Sequence, residues 1–514
     1  MFTISIAIFR YINSHLDDKG HFTGTHLPDD PNPTVPRPFG AEDAFYYTTD
    51  FPSNKEGAKK AIQLLRNFLR NNTIENRQKL YKYLSSISIS TICDPFADEF
   101  GIEDNDQDVL EFARTLFYHA NHREPLKFAL VLFGIYGMDR IQKDEQELWK
   151  DIITVAHCEE FTFFFFFSCR ISELYPQEEI WQLISCTNGW GKVYAINEIE
   201  DCSREQQVML IQSALDITVE YPPLSIKLLR LGKLLNVLKE KKVAYETYKG
   251  AAAILSNLLR LLNDFPAPVL EENFAISTID VNAHLDALLK ITAKYCDDPD
   301  DVLDIIGISI GLRTAISNEN WQRLTPNQLH DLLAKCEYLI FQKNWSEEIA
   351  NNLIKNDEIN YSLCDLAYEL DMDIWDRLFK YWCQHPKEIR LFPFLLAYED
   401  DNRALTVISG IERNINLYLE NADDLLVPLR YLRSHPGDGQ GIVIAALTSS
   451  YDWPRGIATS LLEEWGQEHI TPLLREKLWE ARKLSMHPIV TARIDALLRG
   501  EVFNLQALTE HIGK

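Results

Sequence analysis

Two pairs of residues have a spacing that could bind a metal ion. His119 and His122 are three positions apart, and His157 and Glu160 repeat that spacing. Residues three apart on a helix share one face, so each pair could supply two ligands. Neither pair has a third ligand or an HExxH pattern beside it. Surface or helix-end histidines are therefore the favoured interpretation, and we expect no metal and no cofactor.

Adjacent carboxylates are the other candidates for chemistry, because a pair can divide the roles of general acid and general base. These pairs are Asp300 with Asp301, Asp400 with Asp401, and Asp423 with Asp424. Carboxylates are also stabilising at the N-terminal ends of helices, so we expect solvated helix ends. The chain contains no GxxxxGK[ST] or EF-hand pattern. The catalytic residues, if there are any, stay unknown at this level.

The charge of the chain limits its partners. Its 514 residues include 51 Lys and Arg against 76 Asp and Glu, a net charge of −25. Such a field repels phosphate backbones and anionic membranes and favours basic partners, although an acidic excess also serves solubility. The most basic stretch, residues 238–243, is short and includes Glu240. We expect neither nucleic acid nor membrane as a partner.

Cysteine usage and the first residues bear on location. The nine cysteines form no CxxC pair and lie at positions 93, 158, 169, 186, 202, 296, 336, 364 and 383. An odd, scattered set in a large chain indicates buried thiols in a reducing compartment. The first residues lack the pattern of a secretory signal, and no apolar run approaches the ~20 residues of a membrane span. A cytoplasmic location is expected.

A short phrase that occurs three times gives the first information on the elements. A tryptophan is followed by an apolar residue four places on, an alanine five on, and an aliphatic residue nine on. The three copies are Trp190, Tyr194, Ala195, Ile199; Trp345, Ile349, Ala350, Ile354; and Trp453, Ile457, Ala458, Leu462. These offsets fall on one face of a helix, where the alanine would admit a neighbouring helix. Chance occurrence in a helix-rich chain is the alternative.

Helical periodicity predicts the fold class. From about residue 56 the apolar pattern is helical almost without a break, and no alternating run with hairpin turns stands out. Capping boxes are predicted at Ser203 and Thr325, and a helix start at Asp298. We predict an all-α chain of about two dozen helices, an α-solenoid of HEAT or armadillo-like helix pairs. The predicted divisions are an irregular N-terminal cap with one short helix (1–55), a helical-repeat region (56–263), a linker (264–280) and a second helical-repeat region (281–514).

Several stretches resemble one family. They are Glu159-Glu160-Phe161-Thr162, the segment Asn188 to Glu200, the segment Tyr248 to Ile254, Tyr11 to Asp18, and Leu27 to Asp30. Together they resemble uncharacterised bacterial proteins with HEAT-like helical repeats, over roughly residues 8 to 262. The resemblance implies an α-solenoid in a bacterial cytoplasm, and it carries no established activity.

The expected function follows from the scaffold and its charge. A helical-repeat stack creates an extended concave surface, and this favours a non-enzymatic scaffold that binds a protein or peptide. The net charge favours a basic partner, for example the target of a cytosolic inhibitor or immunity protein. Two alternatives stay open. One is an enzyme whose site is assembled from distant helices, and the other is a structural subunit of a larger assembly.

Overall fold

The computed structural model describes residues 6–30, 38–48, 53–101, 106–295, 298–318, 323–397, 400–419, 422–449, 451–485 and 487–503. Within these ranges the regular elements are helices, apart from one bridge between Leu16 and Phe22 and one small hairpin, β1 (Ile354–Lys355) with β2 (Glu358–Ile359), and turns and loops join them. Asn356 and Asp357 both have positive φ in the hairpin turn, a backbone that asparagine and aspartate tolerate. The prediction of an all-α chain is confirmed.

The N-terminal segment holds two helices, α1 (Ile8–Ser14) and α2 (Ala41–Thr48). The sequence predicted only one here, because prolines are frequent between residues 31 and 52. Residues 41–48 contain no proline and begin with Glu42 and Asp43 in the first turn, which suits a helix N-terminus. Helix α2 is therefore a second element that the proline count concealed.

The helices that follow are mostly short. The next fourteen are α3 (Lys55–Arg70), α4 (Ile74–Leu84), α5 (Cys93–Glu99), α6 (Asp106–His119), α7 (Arg123–Tyr136), α8 (Met138–Asp144), α9 (Gln146–Ala156), α10 (Glu159–Ile171), α11 (Gln177–Cys186), α12 (Trp190–Asn197), α13 (Arg204–Ser213), α14 (Leu224–Leu231), α15 (Leu234–Leu238) and α16 (Tyr245–Asp264). The capping box at Ser203 is confirmed, because its side chain accepts from the Gln206 N–H while Gln206 bonds back.

The remaining helices complete the described part of the chain. They are α17 (Ala267–Phe274), α18 (Val281–Thr292), α19 (Pro299–Ser317), α20 (Pro326–Ile340), α21 (Trp345–Asn352), α22 (Tyr361–Glu369), α23 (Trp375–Gln384), α24 (Phe392–Leu395), α25 (Asp401–Arg413), α26 (Leu426–Tyr431), α27 (Gln440–Leu447), α28 (Asp452–Trp465), α29 (Pro472–Leu484) and α30 (Pro488–Arg499). The capping box at Thr325 and the helix start at Asp298 are confirmed. The described helices exceed the predicted two dozen because many are shorter than average, such as α24 with 4 residues.

In several places, hydrogen bonds between helices join residues 30 to 38 positions apart along the chain. Between α7 and α10, hydrogen bonds join Leu130 to Ser168 and Gly134 to Ser172, both 38 positions apart. Trp149 on α9 donates to Glu179 on α11, 30 positions later. Near the other end, Gln440 and Thr471 are 31 apart, and Gln467 and Leu497 are 30 apart. Helices that are two or three places apart in chain order are therefore in contact at these points.

The buried apolar side chains form one connected cluster that extends from Ile8 to Leu497. Residues 264–280, predicted as a linker, contain α17 and a 3₁₀ turn at Ile276–Thr278. Leu270 and Ile276 belong to the cluster, and α16 before this segment packs on α18 and α19 after it. The core therefore continues past the segment, and a division of the chain there stays a prediction.

The N-terminal segment also contacts the last helices. The ring of Tyr46 on α2 stacks on the imidazole of His487, with ring centroids 5.8 Å apart. His487 directly precedes α30, and burial lowers the pKa of its imidazole while the charge of Glu42 on α2 acts to raise it. Helix α2, near the beginning of the chain, is therefore in contact with the start of the last described helix.

Candidate functional site

The three tryptophan phrases occupy different environments. Only the third lies wholly within one helix, α28. Helix α12 ends at Asn197, before Ile199, and α21 ends at Asn352, so Ile354 falls in β1. A short helix cannot carry all four offsets on one face. The phrase therefore marks helix starts, and its last position is not a fixed helical contact.

Burial of the phrase residues differs in the same way. Tyr194, Ala195 and Ile199 are buried in the first copy, and Ala458 and Leu462 in the third. Trp345 and Ile349 are buried in the second copy, but Ala350 is exposed. Trp190 and Ile457 are half-buried, whereas Trp453 is exposed. Two of the three alanines thus lie where a neighbouring helix packs, and the exposed Ala350 faces away from the core.

The residues two places after the three tryptophans do not form a common row of exposed binding side chains. Lys192 is buried and lies 3.3 Å from Asp216. Arg455 is also buried, pairs with Asp452 at 3.0 Å and donates to the backbone carbonyls of Ser449, before α28, and Leu484, at the end of α29. Glu347 is exposed. Lys192 and Arg455 therefore form ion pairs inside the protein. The sequence alone did not indicate that these two cations are buried.

The histidine pairs are not brought together. His119 is the last residue of α6 and His122 precedes α7, so the two do not share one face of a single helix and both lie at helix ends. His157 ends α9, where Gln182 lies 3.0 Å from its Nε2, whereas Glu160 on α10 faces other partners. Among the described residues, no group of three or more His, Cys, Asp or Glu is placed to hold a metal ion.

The acidic pairs cap or brace helices. Asp400 accepts hydrogen bonds from the first N–H groups of α25, and Asp401 lies 3.4 Å from His435. Asp301 is buried and bonds to the Tyr245 hydroxyl at 2.8 Å, whereas Asp300 is exposed. The expectation of solvated ends therefore fails for Asp301, because α16 packs beside it. The side chain of Asp423 lies outside the described residues, and Asp424 is half-buried.

Lys127 is the centre of a buried ionic cluster between α2, α7 and α10. Its Nζ lies 2.7 Å from Asp43, 2.9 Å from Glu124 and 2.9 Å from Glu160. Asp43 is 1% exposed, and its Oδ1 has no hydrogen-bond partner among the described residues. Burial raises the pKa of the Asp43 carboxyl to about 7, against the charge of Lys127 and with the help of the neighbouring glutamates. Three carboxylates thus share one ammonium group.

Arg123, one turn earlier on α7, extends this cluster to the N-terminal segment. Its guanidinium lies 3.1 Å from Asp29 and 3.2 Å from Glu160, and it also pairs with Asp30. Glu160 in turn accepts a hydrogen bond from the Gly40 N–H at 2.9 Å. Every one of these charged side chains is largely buried, so the cluster fastens the segment to the helices. A substrate would not reach these groups without displacing the segment.

Glu159, the neighbour of Glu160, points toward the next helix pair. Its carboxylate accepts hydrogen bonds from the backbone N–H groups of Asn188, Gly189 and Gly191, at 2.9, 2.8 and 3.3 Å. These groups open α12, which has no capping side chain of its own. A Cβ atom at Gly189 would lie 2.3 Å from the Glu159 carboxylate. Glu159 and the glycines around Trp190 are therefore parts of one helix-capping contact.

The depressions at the surface are open. One of about 440 Å³ lies between α15 and α18 and includes Lys239, Asp286 and Lys294. Another of about 370 Å³ lies on α3 and includes Arg66, Arg70 and Glu99. Neither brings together carboxylates or histidines with the convergent geometry of an acid–base site. Neither contains a residue of the ionic cluster.

A group of exposed aromatic and apolar side chains lies where α19, α20 and α22 meet. Tyr338 is 72% exposed, Phe341 64%, Tyr368 48% and Ile310 42%. Arg313 on α19 interacts electrostatically with a glutamate on each of the other two helices. Its guanidinium lies 3.7 Å from Glu337 on α20, and its charge also acts on Glu369 on α22. We call this the Arg313 surface, comprising Ile310, Arg313, Glu337, Tyr338, Phe341, Tyr368 and Glu369.

Carboxylates outnumber cations around the Arg313 surface. Burial raises the pKa of Glu369, Arg313 lowers it in part, and nearby Asp365 raises it further. Partial desolvation also raises the pKa of Asp365, against the charge of Arg390. Asp371 is exposed two residues beyond Glu369. Both carboxyls are therefore partly desolvated, and a further cation placed beside them would favour their ionised forms.

No helix in the described part of the chain is both long and apolar enough to cross a membrane. Comparison with protein-family models, with curated proteins and with solved structures finds no match to this chain.

Proposed function

We propose that this protein is a HEAT-like or armadillo-like helical-repeat scaffold that binds a basic protein or peptide. The hydrogen bonds between helices at separations of 30 to 38 positions support a stack of helix pairs, each resting on the next. Several separations lie near 30 positions, shorter than the 40 to 47 residues of typical HEAT and armadillo units. The short helices of this chain account for that difference. The same stack fits the family resemblance of residues 8 to 262.

The Arg313 surface carries the binding part of the proposal. Exposed aromatic side chains are enriched at protein interfaces, where they supply contact area at small entropic cost. Here they lie near carboxyls whose pKa values are raised by partial desolvation, so an added cation would favour their ionised forms. With a net charge of −25, the whole molecule would also attract a basic partner from a distance. Aromatic contact and negative charge together favour a basic polypeptide over a nucleic acid.

We also propose a reducing, cytoplasmic location. Eight described cysteines are free thiols, and six of them are buried. Cys383 is exposed, contrary to the expectation of buried thiols, and Cys296 lies outside the described residues. An exposed thiol persists more readily where glutathione keeps cysteines reduced.

The experiment compares labelled polypeptides of opposite charge. Basic, neutral and acidic random polypeptides of matched length are titrated with the full chain, and binding is followed by fluorescence anisotropy. The proposal predicts binding of the basic polypeptide alone, weakened as salt is raised, because salt screens exposed charges. Equal binding of all three, or binding of none, would contradict the proposal of a basic partner.

A further inference from the structure

We infer that the Arg313 surface is the docking site of the basic partner and that the partner anchors there through arginine side chains. This inference rests on the function proposed above and adds the place and the chemistry of contact.

The first argument is the arrangement of the aromatic groups. Ala334 and Tyr338 are exposed four positions apart on α20, and Phe341 follows three positions later. Residues spaced in this way form one stripe along a helix. Tyr368 is exposed near the end of α22, next to Glu369, on whose carboxyl the charge of Arg313 acts. Exposed aromatic side chains therefore lie on two helices that both pack against α19.

The second argument is the position of the carboxylates. Glu337 and Phe341 are four apart, and Asp365 and Tyr368 are three apart, so two of the three aromatic rings have an acidic neighbour at helical spacing. Glu369 lies directly beside Tyr368. A cation that rests on these rings would also reach a carboxylate.

The third argument selects arginine. A planar guanidinium stacks on an aromatic face and can pair with a carboxylate through two parallel hydrogen bonds. The lysine ammonium is a compact, strongly hydrated charge that lacks both features. The chain already uses this contact internally, because the Arg390 guanidinium lies 3.8 Å from the centre of the Tyr361 ring, near Asp365. An arginine-containing segment therefore fits the alternation of ring and carboxylate better than a lysine segment.

The test uses two labelled peptides of equal length, one of alternating arginine and glycine and one of alternating lysine and glycine. The full chain is compared with the triple variant Tyr338→Ala, Phe341→Ala, Tyr368→Ala. The control variant is Trp453→Ala, Trp479→Ala, which removes two rings that are 57% and 56% exposed in other helices. Circular dichroism and thermal unfolding establish that each variant is folded.

The inference predicts that the arginine peptide binds more tightly than the lysine peptide. The triple variant should weaken arginine-peptide binding by about tenfold or more, because three stacking contacts are lost, and the control should leave it unchanged. Equal affinity of the two peptides would refute the arginine anchor. Unchanged binding by the triple variant would refute the docking site, while the basic-partner proposal would stand.

Two further outcomes separate the remaining possibilities. Failure of either peptide and of the basic random polypeptide to bind would overturn the proposed function and this inference together. Sedimentation of the free chain tests the other occupant, a second copy of the same chain. If the natural chain is a dimer and the triple variant is a monomer, the Arg313 surface is an interface between two copies of this chain. That result would also overturn the inference.

Discussion

The carboxylate of Glu159 accepts a hydrogen bond from the backbone N–H of Gly189 at 2.8 Å, and so connects the start of α10 to the start of α12. Two further N–H groups at this helix start bond to the same carboxylate. Side chains that satisfy the free N–H groups of a helix start are commonly near in sequence, but this one comes from 30 positions earlier. The contact therefore stabilises both α12 and its packing on α10.

Replacement of Glu159 tests this contact. Glu159→Ala should lower the free energy of unfolding by about 1 to 2 kcal/mol, because it leaves several N–H groups without an acceptor. Glu159→Gln keeps one oxygen acceptor and should cost less. Glu200→Ala, at an exposed loop position, is the matched control and should change stability by less than about 0.5 kcal/mol. Urea denaturation measures all three, and an equal effect of Glu159→Ala and Glu200→Ala would contradict the capping role.

The alanines of the tryptophan phrase give a second prediction. Ala195→Leu and Ala458→Leu should each destabilise the chain by about 1 to 3 kcal/mol, because both residues are fully buried and the added atoms overpack the core. Ala350→Leu is the internal control, since Ala350 is exposed. Thermal unfolding should show a lower stability for Ala195→Leu and Ala458→Leu and an almost unchanged stability for Ala350→Leu. The interpretation fails if Ala350→Leu is as costly as the other two.

The third prediction concerns Lys127. Lys127→Met removes the only ammonium group that lies between Asp43, Glu124 and Glu160 in the described structure, and should cost about 3 to 5 kcal/mol. The N-terminal segment should also become more sensitive to limited proteolysis. Lys150→Met is the control, because Lys150 forms an exposed pair with Glu147 and such pairs contribute little.

A second substitution distinguishes loss of charge balance from loss of packing. Asp43→Asn added to Lys127→Met should recover part of the lost stability, because one buried carboxylate no longer needs a cation. Additive losses in the double variant would instead point to packing around Lys127.

The fourth prediction is a pH dependence at Asp43. Its carboxyl has a folded-state pKa of about 7, raised from 3.8, so between these values the folded chain binds a proton that the unfolded chain has released. Stability from this group is therefore lost as the pH rises toward 7. The stability difference between the natural chain and Asp43→Asn should shift by about 2 to 3 kcal/mol from about pH 5 to about pH 8, at the expense of the natural chain.

Denaturation of both proteins at each pH measures that difference directly, since other titrating groups contribute equally to both. A difference that stays constant over the range would show that Asp43 titrates below it.

The sequence predicted the helical class because apolar periodicity is a local signal. The same is true of the capping boxes at Ser203 and Thr325, whose partners lie three residues away. Helix α2 was missed because the prolines around it dominate the composition of the segment. The number of helices was underestimated because short helices such as α15, with 5 residues, carry too few apolar positions to show a period.

The buried charges could not be predicted, because they depend on partners far away in the chain. Arg123 and Asp29 are 94 positions apart, and Lys127 and Asp43 are 84 apart. Glu159 appeared only in the family resemblance, and Glu160 appeared there and as a candidate metal ligand, although each organises a different contact. The Arg313 surface was missed for the same reason, since Tyr338 and Tyr368 look like ordinary helix residues until α19 places their helices together.

The most direct test of the central claim is hydrogen–deuterium exchange of the full chain with and without the arginine–glycine peptide. The account predicts that binding slows exchange at the C-terminal end of α20, at residues 334–341, and throughout α22, at residues 361–369. Exchange in α3, which carries the open depression near Arg66, should not change. Slower exchange confined to α3, or to α29 and α30, would contradict the account. Binding of the peptide without slower exchange at residues 334–341 or 361–369 would also contradict it.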